Sequence, residues 1–259
     1  LSPTALLRRT PRAIAADLVR LHRRGPRELA TGRLSGLTLE EYLTREGYSQ
    51  AFVDGFVVPA YAAICTCSSE AVRAYPAEVI VAYLCSGVTT LGVMRAVGGS
   101  ATVVQRLLAP ATAVRTGTPV RRVCACAEGV RVETVGGEVT PFDHVVVAAR
   151  ADQGARLVAG DPELTDLLRR IPHEESRVVV HAVPRLAPRD RGGWRPVNFI
   201  SAPEHDAPMA TIWLNRVQSG LDREPPLFQS WNPIVEPDPE TVVSEAAVAR
   251  PLVTLETRG

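Results

Sequence analysis

Apolar and polar positions change period several times along this chain, and the changes mark out its elements. Across residues 115–150 (RTGTPVRRVCACAEGVRVETVGGEVTPFDHVVVAAR) apolar residues alternate with polar ones, the signature of half-buried strands, and glycines mark the turns. Pro119-Val120 opens a first strand, with Val123 next on its apolar side. Glu128-Gly129 makes a tight turn, Val130, Val132 and Thr134 carry a second strand, and Gly136-Gly137 makes the next turn. The third strand differs in kind. Residues 142–149 are apolar except for Asp143 and His144, as expected of a strand covered on both faces.

Elsewhere the period is helical. Leu6, Leu7, Ile14, Leu18 and Leu21 share one face of an opening helix whose other face carries Arg8, Arg9, Arg12, Arg20, Arg23 and Arg24, and Gly25-Pro26 is expected to end it. Thr38 with Glu41 three residues on forms a capping box for a short helix closed by Gly47. Ser49 caps another, with Ala51, Phe52, Phe56, Val57 and Val58 as its apolar stripe up to Pro59. Gly98-Gly99-Ser100 is a glycine-rich turn that opens a helix over residues 101–108. Helices follow at 152–158 and at 162–171, the latter capped by Asp161, then strands at 177–181, 197–201 and 211–215, with a loop over 184–194. Strands and helices in this mixture predict an α+β or α/β fold.

Composition narrows the function. The 259 residues are enough for one large core or two smaller ones, and a net charge of +1 offers no basic field for nucleic acid. All 29 cationic residues are arginine, which removes lysine Schiff-base, P-loop lysine and lysine general-base chemistry. No apolar run is long enough to span a membrane and no signal-peptide pattern opens the chain, so the default location is cytoplasmic. The basic amphipathic opening helix can serve as a peripheral membrane contact or, more commonly, as a solvated helix packed on its own domain. Cys65-x-Cys67 and Cys124-x-Cys126 have a spacing shorter than zinc sites use, and no metal site is expected. His181, at a strand end with no visible partner, is expected to be structural.

The residues also carry a resemblance. The Thr118-Pro119-Val120 segment, the hairpin and the strand ending at Ala148-Ala149 resemble the part of the glutathione-reductase-type flavoprotein fold that lies against FAD. Thr38-Leu39, Tyr42-Leu43, Gly47-Tyr48-Ser49, Phe52 and Pro59 are similar to a signature of the same family, and Thr211-Ile212-Trp213-Leu214-Asn215 and Trp231-Asn232-Pro233 are similar to strings of its substrate-domain sheet. Together they are similar to the flavin-containing amine oxidase group, and most of all to bacterial NAD/FAD-binding oxidoreductases related to phytoene-desaturase-like proteins. The resemblance implies FAD as cofactor, with Gly98, Gly99, Ser100, Val120, Ala148 and Ala149 near it, Val120 through its backbone at the adenine edge. It places Cys65, Trp213, Asn215 and Asn232 on the substrate side, and it names no catalytic side chain. For Trp213 and Trp194 a core-anchor role is the other reading.

The departures set further expectations. No G-x-G-x-x-G precedes the matched segments, and Arg250-Pro251 stands where the family has His-Pro. The chain is therefore expected to be an internal fragment lacking the dinucleotide-binding βαβ unit. Residues 1–97 would form the helical part and start of a substrate domain, 98–172 a partial FAD-binding domain, and 173–259 the mixed sheet of the substrate domain. Such a fragment is expected to be inactive alone and to bind FAD weakly; a stoichiometric flavin band in the purified chain is the contrary result. The implied reaction is hydride transfer from a C–N or C–C bond of a small or lipid-like substrate to flavin. The missing lysine weighs against amine oxidation, and the apolar helix at 79–84 suits a lipid-like substrate. A non-redox flavoprotein isomerase and a cofactor-less binding module are the alternatives.

Overall fold

The computed structural model describes residues 9–87, 94, 96–158, 160–183, 186–187, 194–202, 205–218, 220–221 and 224–258. It divides into two compact units, one made of Leu1–Gly99 with Glu174–Gly259 and the other of Ser100–His173. The first unit begins with α1 (Arg9–Ala30), which runs through Gly25-Pro26 where the sequence predicts a stop. Glycine and proline cost a helix interior roughly 1 and 3 kcal/mol relative to alanine, so packing has overridden propensity here. A Cβ on Gly25 would lie 2.8 Å from Cys85 Sγ and 2.9 Å from Val81 Cγ1 of α6, so the glycine lets two helices close on each other. The predicted apolar face is the buried one, with Leu21 fully inside and Ile14 and Leu18 packed beside it. Leu6, Leu7 and Arg8 lie outside the described residues.

α2 (Leu39–Arg45) has the predicted capping box: Glu41 N–H donates to Thr38 Oγ1 at 3.2 Å, and Thr38 N–H donates to Glu41 Oε2 at 2.8 Å. Ser49 caps α3 (Gln50–Phe52), but the helix does not stop at Pro59. It widens into one π-turn over Val53–Val57 and continues as α4 (Val58–Cys65). A proline inside an α-helix forfeits a hydrogen bond and its ring strikes the preceding turn; the wider turn removes that conflict. α5 (Ser69–Ala74) and α6 (Ala77–Cys85) complete the helical layer around Leu39, Tyr42, Phe52, Val57, Val72 and Val81.

The second unit starts with α7 (Gly99–Leu108), entered through Gly98 and Gly99 at φ 82° and 77°. β1 (Val120–Cys126), β2 (Gly129–Thr134) and β3 (Val139–Phe142) form an antiparallel meander in which Val123 faces Val132 and Val130 faces Phe142. Gly129, at φ 130°, is the first residue of β2, because a Cβ there would strike the Phe142 carbonyl oxygen. The buried third strand predicted at 142–149 is not formed: β3 ends at Phe142, and the apolar run beyond it is open, with Val146 89% exposed. A continuous apolar run becomes a two-sided strand only when neighbours pair both its edges, and none of the described strands pairs with it. α8 (Ala151–Leu157) and α9 (Pro162–Arg169) follow, with Leu164 N–H donating to Asp161 Oδ1 at 3.0 Å.

Back in the first unit, β4 (His173–His181), β5 (Val197–Ile200), β6 (Met209–Trp213), β7 (Phe228–Trp231) and β8 (Val242–Pro251) form a sheet in the order β5-β6-β7-β4-β8. The pairs β5–β6, β6–β7 and β4–β7 are antiparallel. β6 ends at Trp213, and Leu214–Val217 turns into the short helix α10, so Asn215 is not on a strand as predicted. β8 went unpredicted because its Ala-rich run has no clear alternation. Most of the loop expected over 184–194 lies outside the described residues.

Candidate functional site

The five-stranded sheet has an inverted distribution of polarity, and register explains it. Side chains two apart share a face, so the pairings Asn198↔Thr211↔Ser230↔Val179 and Trp213↔Phe228↔His181 set one face of the sheet. This is the packed face, with Thr211, Ser230, His181 and Phe228 all at 0% exposure. Its polar groups form a closed chain. Val183 N–H donates to His181 Nδ1, which leaves the proton on Nε2 to donate to Ser230 Oγ at 2.9 Å; Ser230 and Thr211 hydroxyls are 2.8 Å apart, and Thr211 Oγ1 donates to the Leu186 carbonyl. Burial lowers the His181 pKa, and both ring nitrogens are taken up by hydrogen bonds within this unit.

The other face carries the rows Val197↔Ile212↔Gln229 and Phe199↔Ala210↔Trp231. These apolar residues are not packed away; they wall a cavity of about 620 Å³ whose opposite wall is the helical layer. Phe56 and Val57 reach it from the π-turn, Ala60, Tyr61, Ala63 and Ile64 from α4, and Tyr83 and Leu84 from α6. Ala60 and Ala63 leave the space open on this side. Tyr61 is held by an edge-on contact with Tyr83 and by its hydroxyl donating to the Ile80 carbonyl at 3.1 Å. Arg250 of β8 is the one charged side chain among the described residues of the wall, its guanidinium 5.2 Å from the Trp231 ring centre and 3.4 Å from the Ile64 carbonyl.

The end of α4 adds the remaining polar groups. Thr66 turns the chain in the left-handed region at φ 53°, and its carbonyl accepts from Ser176 Oγ. The residue borders the cavity, while its own hydroxyl is buried away from it and has no hydrogen-bond partner among the described residues. Beside it, a hydrogen bond with the Cys67 thiol draws the Cys65 thiol down to about 7, aided by Tyr75 and by the charge of Arg250, and against the effect of burial. Cys67 is driven the other way by that same bond and by burial.

The family model for flavin containing amine oxidoreductase matches residues 6–200. The chain belongs to that family. No curated protein matches it. Among solved structures, the CLA-producing fatty acid isomerase from P. acnes is similar in fold, with a TM-score of 0.62 at 14% sequence identity over 86% of this chain. The chain spans 57% of the length of that structure.

In this member of the family, the residues assigned to the cofactor by resemblance lie as follows. Gly98 and Gly99 open α7 from left-handed backbone, with Ser100 exposed in its first turn. Val120 begins β1 opposite Thr134 and is 37% exposed, and Ala148 and Ala149 are exposed in the extended run after β3. Gly99 N–H donates to the Ala96 carbonyl at 3.2 Å, closing the turn that opens α7. Of the residues assigned to the substrate side, Trp213 stacks in a cluster with Trp194 and Phe228 on the packed face. Asn215 Oδ1 accepts from Trp213 Nε1 and Leu227 N–H, and its Nδ2 donates to the Leu221, Glu224 and Pro225 carbonyls. Asn232, at φ 47°, exchanges hydrogen bonds with the Arg177 backbone. None of the three lines the cavity, and Cys65 borders it only through its neighbours Ile64 and Thr66. The residues that do line it were legible only as alternation within 197–200, 209–213 and 228–231, and register was needed to say which parity faced inward.

Proposed function

We propose that this protein is an FAD-dependent oxidoreductase acting on an elongated apolar substrate held between α4, α6 and the five-stranded sheet. The observation that carries the reading is the inverted sheet: Thr211, Ser230 and His181 are sealed inside, while Val197, Phe199 and Ile212 are left facing open space. Leaving that apolar area uncovered forfeits about 25 cal/mol per Å², which a bound apolar ligand would recover. Bound FAD would supply the hydride acceptor for oxidation of a C–N or C–C bond. The chain's own part is to bind, orient and exclude water: Gly98, Gly99, Ser100, Val120, Ala148 and Ala149 would hold the cofactor, and the cavity wall would align the substrate chain.

Anaerobic mixing of the FAD-loaded protein with long-chain apolar substrates tests this. Loss of the oxidised-flavin band with a dehydrogenated product is the expected result. A rearranged product with no net bleaching favours flavin-dependent isomerisation, the second reading, which the fold likeness to a fatty acid isomerase supports. Absence of both, with FAD bound, overturns the proposal.

A further inference from the structure

The charge in the cavity wall says what kind of head group its ligand carries. Within otherwise apolar or neutral walls, Arg250 has no carboxylate partner among the described residues; it meets the Trp231 ring, makes one long bond to the Ile64 carbonyl and sets its charge against the Cys65 and Cys67 thiols. A guanidinium offers five N–H donors in a rigid fork, so one bond at 3.4 Å leaves most of them unused. Capping the α4 C-terminus accounts for that bond alone and does not explain why the side chain also borders the cavity. The rest of the wall supplies no competing charge: apart from Gln229 and Thr66, its described side chains are apolar or aromatic.

We propose that Arg250 receives the carboxylate of a single-chain apolar acid whose hydrocarbon tail fills the cavity, so the ligands of this amine-oxidoreductase relative are anions. An ammonium head would meet a guanidinium with no carboxylate among the described residues of the wall, where like charges repel. A carboxylate takes a bidentate fork from Arg250. The inference rests on the cavity being the substrate site, and the test separates the two.

Binding of oleate, oleyl alcohol and oleylamine to the purified full chain is followed by tryptophan fluorescence, with Trp231 in the wall as reporter. The wild type is expected to bind oleate about ten-fold or more tightly than oleylamine. Arg250→Met should weaken oleate by about 10- to 100-fold and erase the preference, and Arg250→Lys should restore part of it. Arg250→Met should leave the alcohol's tail contacts intact, and circular dichroism melts establish that each variant is folded. If all three ligands bind wild type equally, or Arg250→Met keeps the preference, the head-group assignment is wrong while the cavity reading stands. If none binds, the cavity reading falls and takes this inference with it.

Discussion

At residue scale, single side chains carry contacts that their local sequence does not announce. Gly25 is the clearest. Gly25→Ala should raise helix propensity by roughly 1 kcal/mol, yet its methyl would press on Cys85 and Val81, short side chains that cannot swing aside. Overpacking of this kind costs about 1–3 kcal/mol, so a lower denaturant midpoint is expected from urea unfolding. Asn215 is the second case. Its amide joins Trp213 to the segment around Pro225 through five hydrogen bonds, and Asn215→Ala would orphan several of those groups at once. A loss of about 3 kcal/mol is expected, measurable in the same titration. His181 makes the third prediction. Its folded pKa lies below the ordinary 6.5, so below that pH the unfolded chain takes up a proton that the folded chain refuses. Stability should therefore be complete above about 6.5 and decline as pH falls toward the folded value; the slope of Tm against pH in that window should flatten in His181→Gln.

At the scale of elements, caps and turns behave as their chemistry dictates and lengths do not. The Thr38–Glu41 capping box, the Ser49 and Asp161 caps and the β1–β2 hairpin stand where the sequence puts them, because each depends on residues within a few positions. Thr38→Ala should cost about 1 kcal/mol, seen as a fall in Tm. Three endings went elsewhere. α1 passes Pro26 and the α3–α4 helix passes Pro59, because close packing in one case and a π-turn in the other absorb the conflict. β3 stops at Phe142, because an apolar run needs pairing partners to become a strand.

At the scale of the whole molecule, helical layer and sheet together enclose a cavity that neither contains alone. Ala60→Phe would fill part of that space from α4 without disturbing the packed face of the sheet. It should leave Tm unchanged or slightly raised while weakening long-chain ligand binding at least about ten-fold, a separation that isothermal titration and a thermal melt can make. No helix among the described residues is long and apolar enough to cross a membrane.

Local order is what the amino-acid sequence determined by itself: the caps, the hairpin, the strand parities and the family resemblance all reside in residues close along the chain. Which parity of β5, β6 and β7 faces the helices was a tertiary decision. Valine, phenylalanine and isoleucine would ordinarily be placed in the core and threonine, serine and histidine outside it. Here the hydroxyls and the imidazole satisfy one another across strands far apart in sequence, which frees the apolar face to wall a cavity, and only the three-dimensional register brings those partners together.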